Sequence, residues 1–296
     1  MKKKIYFLAI VLSMICLSSC TGGAQEALSE QGTENQREEN RRTETQTYTF
    51  VDVYGQRYEA ELLEDVPKCT YDFSHLTEKG GYREYHDKES RVVAVRGIDV
   101  SEFQGEIDWQ EVKKSGVEFA IIRLGYRGYG KEGKLVLDEK FCQNIEEAQK
   151  AGIKTGVYFF SQAISDEEAR EEAQFVKKHL KGRKLEMPVV FDTEEIKWDT
   201  ARTDGNTREQ FTQNCIVFLE EIEKAGYDTM IYANMKWMAC TLDMERLKEY
   251  DIWYADYEPV PQCPYAFAMW QYSEKGRVPG IEADVDLNLW FQEEGK

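Results

Sequence analysis

Along residues 95–296, short apolar runs alternate with stretches in which apolar residues recur at helical spacing. Eight short runs, rich in Val, Ile, Tyr, Phe or Trp and bounded by Gly, Pro or Asp, have the composition of buried β-strands. These runs are "RGIDVSEF" (96–103), "FAIIRLGY" (119–126), "KTGVYFFS" (154–161), "MPVVFDTE" (187–194), "TMIYAN" (229–234), "DIWYADY" (251–257), "FAMWQYS" (267–273) and "ADVDLNLW" (283–290). Between the first six runs, apolar residues recur at helical spacing instead.

Five amphipathic helices are predicted between these strands. They are "DWQEVKKSG" (108–116), "DEKFCQNIEEAQKAG" (138–152), "SDEEAREEAQFVKKHLKG" (165–182), "TREQFTQNCIVFLEEIEKAG" (207–226) and "DMERLKEY" (243–250). Asp108 and Ser165 stand in N-cap positions, and Gly116 and Gly152 follow helix ends. Because strands that alternate with helices pair in parallel, we predict an α/β fold, a TIM-like barrel with its last helices reduced. A doubly wound open sheet is the alternative.

The N-terminal part of the chain does not follow this pattern. Residues 1–20 contain three lysines, an apolar run and the ending "LSSC", which resembles a bacterial lipobox. We predict a lipoprotein signal peptide with lipidation at Cys20; an ordinary signal peptide is the alternative. Residues 21–48 contain almost no large apolar side chain and are predicted to be a disordered linker. Residues 49–94 have mixed strand character and are expected to pack outside or at the base of a barrel formed by residues 95–296.

Such an N-terminus predicts a protein of the bacterial cell envelope. The lipid would anchor it on the outer side of the cytoplasmic membrane, or on the outer membrane, with an extracytoplasmic domain. The formal net charge of −17 disfavours nucleic acid as a partner, since phosphate binding needs a basic surface. Neither the cysteines nor the three histidines show ligand spacing, so no metal and no cofactor are expected.

Polar and aromatic residues stand at the predicted ends of the strands. In a parallel barrel these ends meet at one rim, where active sites lie. Aromatic rings there can serve as platforms for the faces of sugars. The predicted substrate-binding residues are Tyr158, Phe160, Tyr232, Asn234, Trp253, Trp270 and Gln271.

The stretch "VVFDTEE" (189–195) runs from a buried strand directly into acids. Residues two apart on a strand face the same side, roughly 6–7 Å apart, so Asp192 and Glu194 are predicted to point together into the mouth. Neighbouring acids split their proton affinities, which suits glycosidic hydrolysis. A solvated turn or a calcium or magnesium site is the alternative for this pair. Asp99, taken alone, could instead cap the helix that follows it.

Eight motifs in order resemble glycoside hydrolase family 25, the lysozymes first described from phages and streptomycetes. They are "RGIDVSEFQGEIDW", "FAIIRLGY", "GVYFFSQA", "PVVFDTEE", "MIYAN", "IWYADY", "MWQYS" and "ADVDLN", and they span about residues 95–292. The resemblance implies an irregular (β/α)5(β)3 barrel and an N-acetylmuramidase that cuts the β-1,4 bond from N-acetylmuramic acid to N-acetylglucosamine in peptidoglycan. It therefore implies that peptidoglycan glycan strands are the partner.

The resemblance also implies roles for four acids. Glu194 would be the general acid, and Asp192 the nucleophile or the electrostatic stabiliser. Asp99 and Asp286 would orient groups and tune pKa values, with Asp286 chosen over Asp284 in the last strand. The resemblance leaves open whether Asp192 or the N-acetyl group of the substrate attacks.

Two departures from the family pattern concern subsite preference. Tyr126 in "RLGYR" stands where many members carry glutamate, and Phe159 stands where many carry histidine. Neither departure touches the four acids. The leading hypothesis is thus a lipid-anchored, monomeric muramidase for cell-wall turnover or lysis. A non-catalytic peptidoglycan-binding lipoprotein and a glycosidase for chitin-like glycans are the alternatives.

Overall fold

The computed structural model describes residues 46–295. Two hairpins come first, formed by β1 (Thr47–Val51), β2 (Arg57–Glu61), β3 (Leu76–Lys79) and β4 (Tyr82–Asp87). The strands that follow are β5 (Val92–Val100), β6 (Phe119–Arg127), β7 (Leu135–Leu137), β8 (Lys154–Phe160), β9 (Val189–Asp192), β10 (Thr229–Asn234), β11 (Ile252–Ala255), β12 (Met269–Gly276) and β13 (Val285–Glu293). The α-helices are α1 (Trp109–Lys114), α2 (Phe141–Lys150), α3 (Asp166–Leu180), α4 (Arg208–Glu223) and α5 (Met244–Leu247).

Eight of these strands close into a barrel in the order β5-β6-β8-β9-β10-β11-β12-β13, with β13 returning to β5. The predicted α/β barrel, its eight strands and its five helices are therefore confirmed. The pairings from β5 to β12 are parallel, but β13 is antiparallel to both β12 and β5. The connection at residues 277–284 is shorter than the dozen or more residues that a parallel crossover needs, so the expectation of parallel pairing is wrong for β13.

The inside of the barrel changes from apolar at its base to polar at its mouth. Its base is filled by Phe119, Ile121, Met187, Val190, Met230 and Met269. Gly97 is required here, since a Cβ at this position would lie 2.2 Å from the ring of Phe119. Above this layer lie the inward-facing rings of Tyr158, Tyr232 and Trp253, which pack against the same cluster. These rings form the floor of the mouth.

The helices cover the outside of the barrel with their apolar faces. In α3, the Ser165 side chain accepts a hydrogen bond from the backbone N–H of Glu168, and acids fill the first turn, where the helix dipole favours them. The buried face of α3 includes one acid, Glu172. This carboxylate accepts hydrogen bonds from Arg127 Nε at 2.7 Å and Ser161 Oγ at 2.6 Å, so its burial is compensated. The contact fixes the chain just beyond β8.

The residues before the barrel pack on its outer surface. The ring of Tyr71 stacks on that of Phe291 in β13, with centroids 4.3 Å apart, and the Cys69 backbone N–H donates to the carbonyl of Pro264. β4 also pairs with the start of β5, where His86 is opposite Val93. The barrel sheet thus begins at Val92 rather than at residue 95, and β1 begins at Thr47, inside the stretch predicted to be linker.

The predicted lipidation residue, Cys20, lies outside the described residues. Within residues 46–295, no helix is both long and apolar enough to cross a bilayer.

Candidate active site

Four carboxylates gather at the mouth of the barrel. Asp99 and Asp286 are directly opposite each other on β5 and β13, and Asp192 ends β9. Because β13 is antiparallel, the beginning of this strand meets the ends of the others. Asp286 therefore reaches the mouth although it lies near the start of its strand. Glu194 lies just beyond β9, in the loop rather than on the strand as the sequence pattern suggested.

Asp99 is held by side chains from β12 and β13. Its Oδ2 accepts hydrogen bonds from Asn288 Nδ2 at 2.7 Å and from Gln271 Nε2 at 3.0 Å. Burial raises the pKa of Asp99 to about 6, although these two hydrogen bonds act in the opposite direction. The carboxylate is thus fixed in orientation and retains a raised proton affinity.

The two amides beside Asp99 are themselves oriented by aromatic side chains. Trp253 Nε1 donates to Asn288 Oδ1 at 2.8 Å. The hydroxyls of Tyr232 and Tyr257 donate to Gln271 Oε1 at 2.9 and 3.0 Å. Because each amide oxygen is engaged as an acceptor, each amide nitrogen is turned toward Asp99. The aromatic floor of the mouth therefore sets the position of this acid.

Asp192 and Glu194 occupy the other side of the mouth. Burial, followed by the negative charges of Glu194 and Asp99, raises the pKa of Asp192 well above its usual value. Burial and the charge of Asp99 raise the pKa of Glu194 to about 7. Among the described residues, Asp192 Oδ1 has no hydrogen-bond partner. The pair therefore retains a proton under conditions where two exposed carboxyls would both be ionised.

Asp286 also holds its proton more tightly than an exposed carboxyl. Burial and the charges of Asp99, Glu274 and Glu194 raise its pKa to about 9. Asp286 is therefore protonated at neutral pH and can donate a hydrogen bond.

A cation that the sequence pattern did not identify as a site residue lies near the carboxylates. Arg123 on β6 donates to Asp138 Oδ2 at 2.7 Å and to Glu102 Oε1 at 2.8 Å. Its charge lowers the pKa of Asp192, against the larger effect of burial. The signal was present in "FAIIRLGY", where a single arginine interrupts an apolar strand. Tyr257, the last residue of the predicted strand 251–257, also borders the mouth and was likewise not named.

The predicted substrate-binding residues do not all reach the mouth. Tyr158, Tyr232, Trp253 and Gln271 face it, and Phe160 follows Tyr158 by two residues and so shares its face. Asn234 is turned to the backbone, because its Oδ1 accepts from the N–H of Trp237 at 3.0 Å.

Trp270 is the clear exception. Trp270 precedes Gln271 on β12. Because successive strand residues face opposite sides, only one of the two can reach the mouth. Its ring is fully buried outside the barrel, its Nε1 donates to the carbonyl of Asp256 at 2.8 Å, and Arg83 lies 4.7 Å above it. The structure thus does not place Trp270 where the substrate-binding prediction needs it.

Across residues 46–295, no group of three or more His, Cys, Asp or Glu side chains is arranged to hold a metal ion. What the acids can do is exchange protons and stabilise positive charge at the mouth of an aromatic-lined barrel.

The chain matches the sequence pattern of a known enzyme family. The sequence model of glycosyl hydrolases family 25 matches residues 98–281. An autolytic lysozyme from Clostridium acetobutylicum is 27% identical over 195 residues, which cover 66% of this chain and 55% of that protein. Lysozyme M1 from Streptomyces globisporus is 29% identical over 203 residues, which cover 66% of this chain and 67% of that protein.

A solved structure supports the same relationship. The crystal structure of the bacterial lysozyme from Streptomyces coelicolor matches with a TM-score of 0.56 and 29% identity, covering 66% of this chain and 91% of that one. The matched family region contains Asp99, Asp192 and Glu194, whereas Asp286 lies just beyond it. The chain spans only 55% of the length of the Clostridium relative.

Proposed function

Because this chain belongs to glycosyl hydrolases family 25, we propose that it is a muramidase, which hydrolyses the β-1,4 bond from N-acetylmuramic acid to N-acetylglucosamine in peptidoglycan. The observation that carries the proposal is the proton-sharing pair of Asp192 and Glu194. One member of such a pair can supply a proton while the other stabilises positive charge. The lysozymes to which the chain is similar support this choice of substrate.

Glu194 acts as the general acid. Its pKa, raised to about 7, keeps it protonated until the glycosidic oxygen is in place. Transfer of this proton to the leaving oxygen accompanies cleavage of the bond to the anomeric carbon, which becomes electron-poor. Glu194 is then ionised and can accept a proton from the water that completes hydrolysis.

Asp192 supports the electron-poor anomeric carbon. Two routes are consistent with its position: Asp192 attacks the carbon and forms a covalent intermediate, or it stabilises the charge while the N-acetyl oxygen of the substrate attacks. In both routes Asp192 must be ionised, and the charge of Arg123 favours that form. The buried Oδ1 of Asp192 has no hydrogen-bond donor among the described residues that would compensate its charge.

Asp99 and Asp286 act as positioning residues. The two hydrogen bonds to Asp99 fix its charge near Glu194, where it raises the proton affinity of the acid. Asp286, protonated at neutral pH, offers a hydrogen-bond donor to the sugar at the rim.

The test uses the full-length protein in detergent with purified peptidoglycan. Hydrolysis predicts new reducing ends at N-acetylmuramic acid, which mass spectrometry of the released muropeptides identifies. Glu194→Gln should abolish them, whereas Glu195→Gln should not, because Glu195 is exposed and pairs with Lys236 at 2.8 Å. Binding to peptidoglycan without new reducing ends would reject the enzyme in favour of a binding protein. Cleavage of chitin oligomers but not of peptidoglycan would assign a different glycosidase.

We further propose that the protein is lipid-anchored through Cys20 in the bacterial cell envelope and acts as a monomer. The lysine-rich start, the apolar run and "LSSC" support the anchor. All four acids come from one chain, which supports the monomer. Cys20→Ala should release the protein from the membrane fraction and abolish labelling with a fatty acid. Light scattering of the purified protein tests its mass.

A further inference from the structure

We propose that the residues before the barrel complete a second binding groove beside the catalytic mouth, and that this groove holds the peptide stem of a peptidoglycan strand. The inference rests on the proposed function, because it concerns another part of the same substrate. It goes beyond the family, since the matched region begins at residue 98 and one wall of the groove lies before it.

The groove has a volume of ≈ 690 Å³ and lies between two hairpin turns and the end of β12. Val53, from the connection between β1 and β2, and Gly80 and Gly81, from the turn between β3 and β4, form one side. Residues 273–277 form the opposite side. Both N-terminal hairpins therefore contribute to it, which gives these residues a role beyond covering the outside of the barrel.

The groove adjoins the mouth at Tyr257. This residue lines the groove, and its hydroxyl donates to Gln271, which in turn holds Asp99. Glu274, on the opposite wall, is close enough to Asp286 to raise the pKa of that acid. The groove and the mouth therefore share Tyr257, which places the groove next to a sugar bound at the mouth.

The turn at Gly80 and Gly81 exposes the backbone to the groove. Both residues have positive φ, 62° and 83°, as a two-residue hairpin turn requires. No atom lies within 4 Å of the position that a Cβ would take at either residue. The wall therefore presents peptide groups without side chains, and the main chain of a ligand can approach them closely.

The charges of the groove favour a peptide over a sugar chain. Its lining combines the acids Glu78 and Glu274 with the bases Arg83, Lys275 and Arg277. A neutral glycan offers hydroxyls and acetamido groups, whereas a stem peptide carries carboxylates and, in many stems, an amine. Charges of both signs along one groove match the second kind of ligand.

Two of the bases can exchange their present partners for a ligand. Lys275 pairs with Glu274 at 3.2 Å and Arg277 pairs with Asp284 at 2.7 Å, in both cases with side chains that are largely exposed. Arg277 Nη1 also donates to the carbonyl of Glu282 at 2.8 Å. Exposed pairs of this kind contribute little to stability, so their replacement by substrate carboxylates costs little.

The test compares two substrates: glycan strands that carry their stems, and the same strands after an amidase has removed the stems. Lys275→Glu combined with Arg277→Glu should lower kcat/KM on stem-bearing strands about tenfold, the loss of roughly one charge-assisted contact. The value on stem-free strands should not change. The matched control combines Lys224→Glu with Lys248→Glu, two exposed residues outside the groove, and should leave both values unchanged.

Equal losses on both substrates, or no loss on either, would overturn the groove assignment. A wild-type protein that cleaves neither substrate would instead reject the proposed muramidase. In that case calorimetry with a soluble stem peptide still decides the groove: binding that the double charge reversal abolishes supports it, and no binding rejects it.

Discussion

The two sides of the barrel mouth hold their carboxylates in opposite ways. Asp99 and Asp192 are equally buried, at 5% exposure each. Asp99 accepts two hydrogen bonds through one oxygen, whereas Asp192 Oδ1 has no partner among the described residues. A buried polar atom without a partner destabilises the fold. The β5–β13 side therefore fixes its carboxylate with hydrogen bonds, whereas the β9 side leaves a buried carboxylate oxygen without a compensating donor.

The largest effect is expected from Asp192→Asn. Removal of the charge that supports the anomeric carbon should lower kcat by about 10²- to 10⁴-fold. The same change removes repulsion from Glu194 and Asp99, so the midpoint of thermal unfolding should rise or stay constant. Steady-state kinetics and calorimetry measure the two effects. A strong fall in stability would contradict the view that the buried charge of Asp192 destabilises the folded protein.

The pH profile should report on Glu194. Its pKa of about 7 predicts that kcat falls about tenfold per pH unit above 7, as the acid loses its proton. The folded state holds this proton more tightly than the unfolded chain, so the contribution of Glu194 to stability decreases as pH rises from about 4.5 to about 7. Urea unfolding of Glu194→Gln should show that its advantage over the wild type grows across this window and is constant above it. If the difference in stability between Glu194→Gln and the wild type were the same at all pH values, a group other than Glu194 would titrate in this window.

On the other side of the mouth, Asn288→Ala should affect stability and activity together. The change removes one donor to Asp99 and leaves Trp253 Nε1 without its acceptor. We expect the free energy of unfolding to fall by about 1–3 kcal/mol and activity by about tenfold, with a further rise in the pKa of Asp99. Urea unfolding and NMR titration of the Asp99 carboxyl measure these changes. Gln292→Ala, farther along the same strand, is the control and should change neither.

The smallest effect on activity is expected from Trp270→Phe. The ring lies outside the barrel, so KM should be unchanged, while loss of the hydrogen bond to Asp256 should lower stability by about 1 kcal/mol. Tyr232→Phe, one of the inward-facing residues, should raise KM or lower kcat instead, because it frees Gln271. Kinetics on peptidoglycan fragments compare the two, and a raised KM for Trp270→Phe would reverse the assignment of the faces.

The strand and helix order was predictable because it depends on local periodicity. Asp108 and Ser165 cap their helices as the sequence predicted, since a cap involves only neighbouring residues. Trp270 and Gln271 are adjacent on β12, and the two-residue period of a strand places only one of them on the inward face. The antiparallel direction of β13 follows from its short connection to β12, residues 277–284.

The arrangement around Asp99 could not be predicted in the same way. Its partners Gln271 and Asn288 are 172 and 189 residues away in sequence, so no local pattern connects them. The groove beside the mouth could not be predicted for the same reason: it forms only when residues near 53 and 80 meet those near 275. Periodicity identifies which elements form; it does not identify which side chains meet across the closed barrel.

The closure of the barrel by β13 has a consequence for folding. Asp99 and Asp286 come together only when strands almost 190 residues apart pair, and such non-local pairing is among the slow events of folding. Partly folded chains therefore lack the assembled acids. Any activity that needs the four acids together would therefore appear late, with the complete fold.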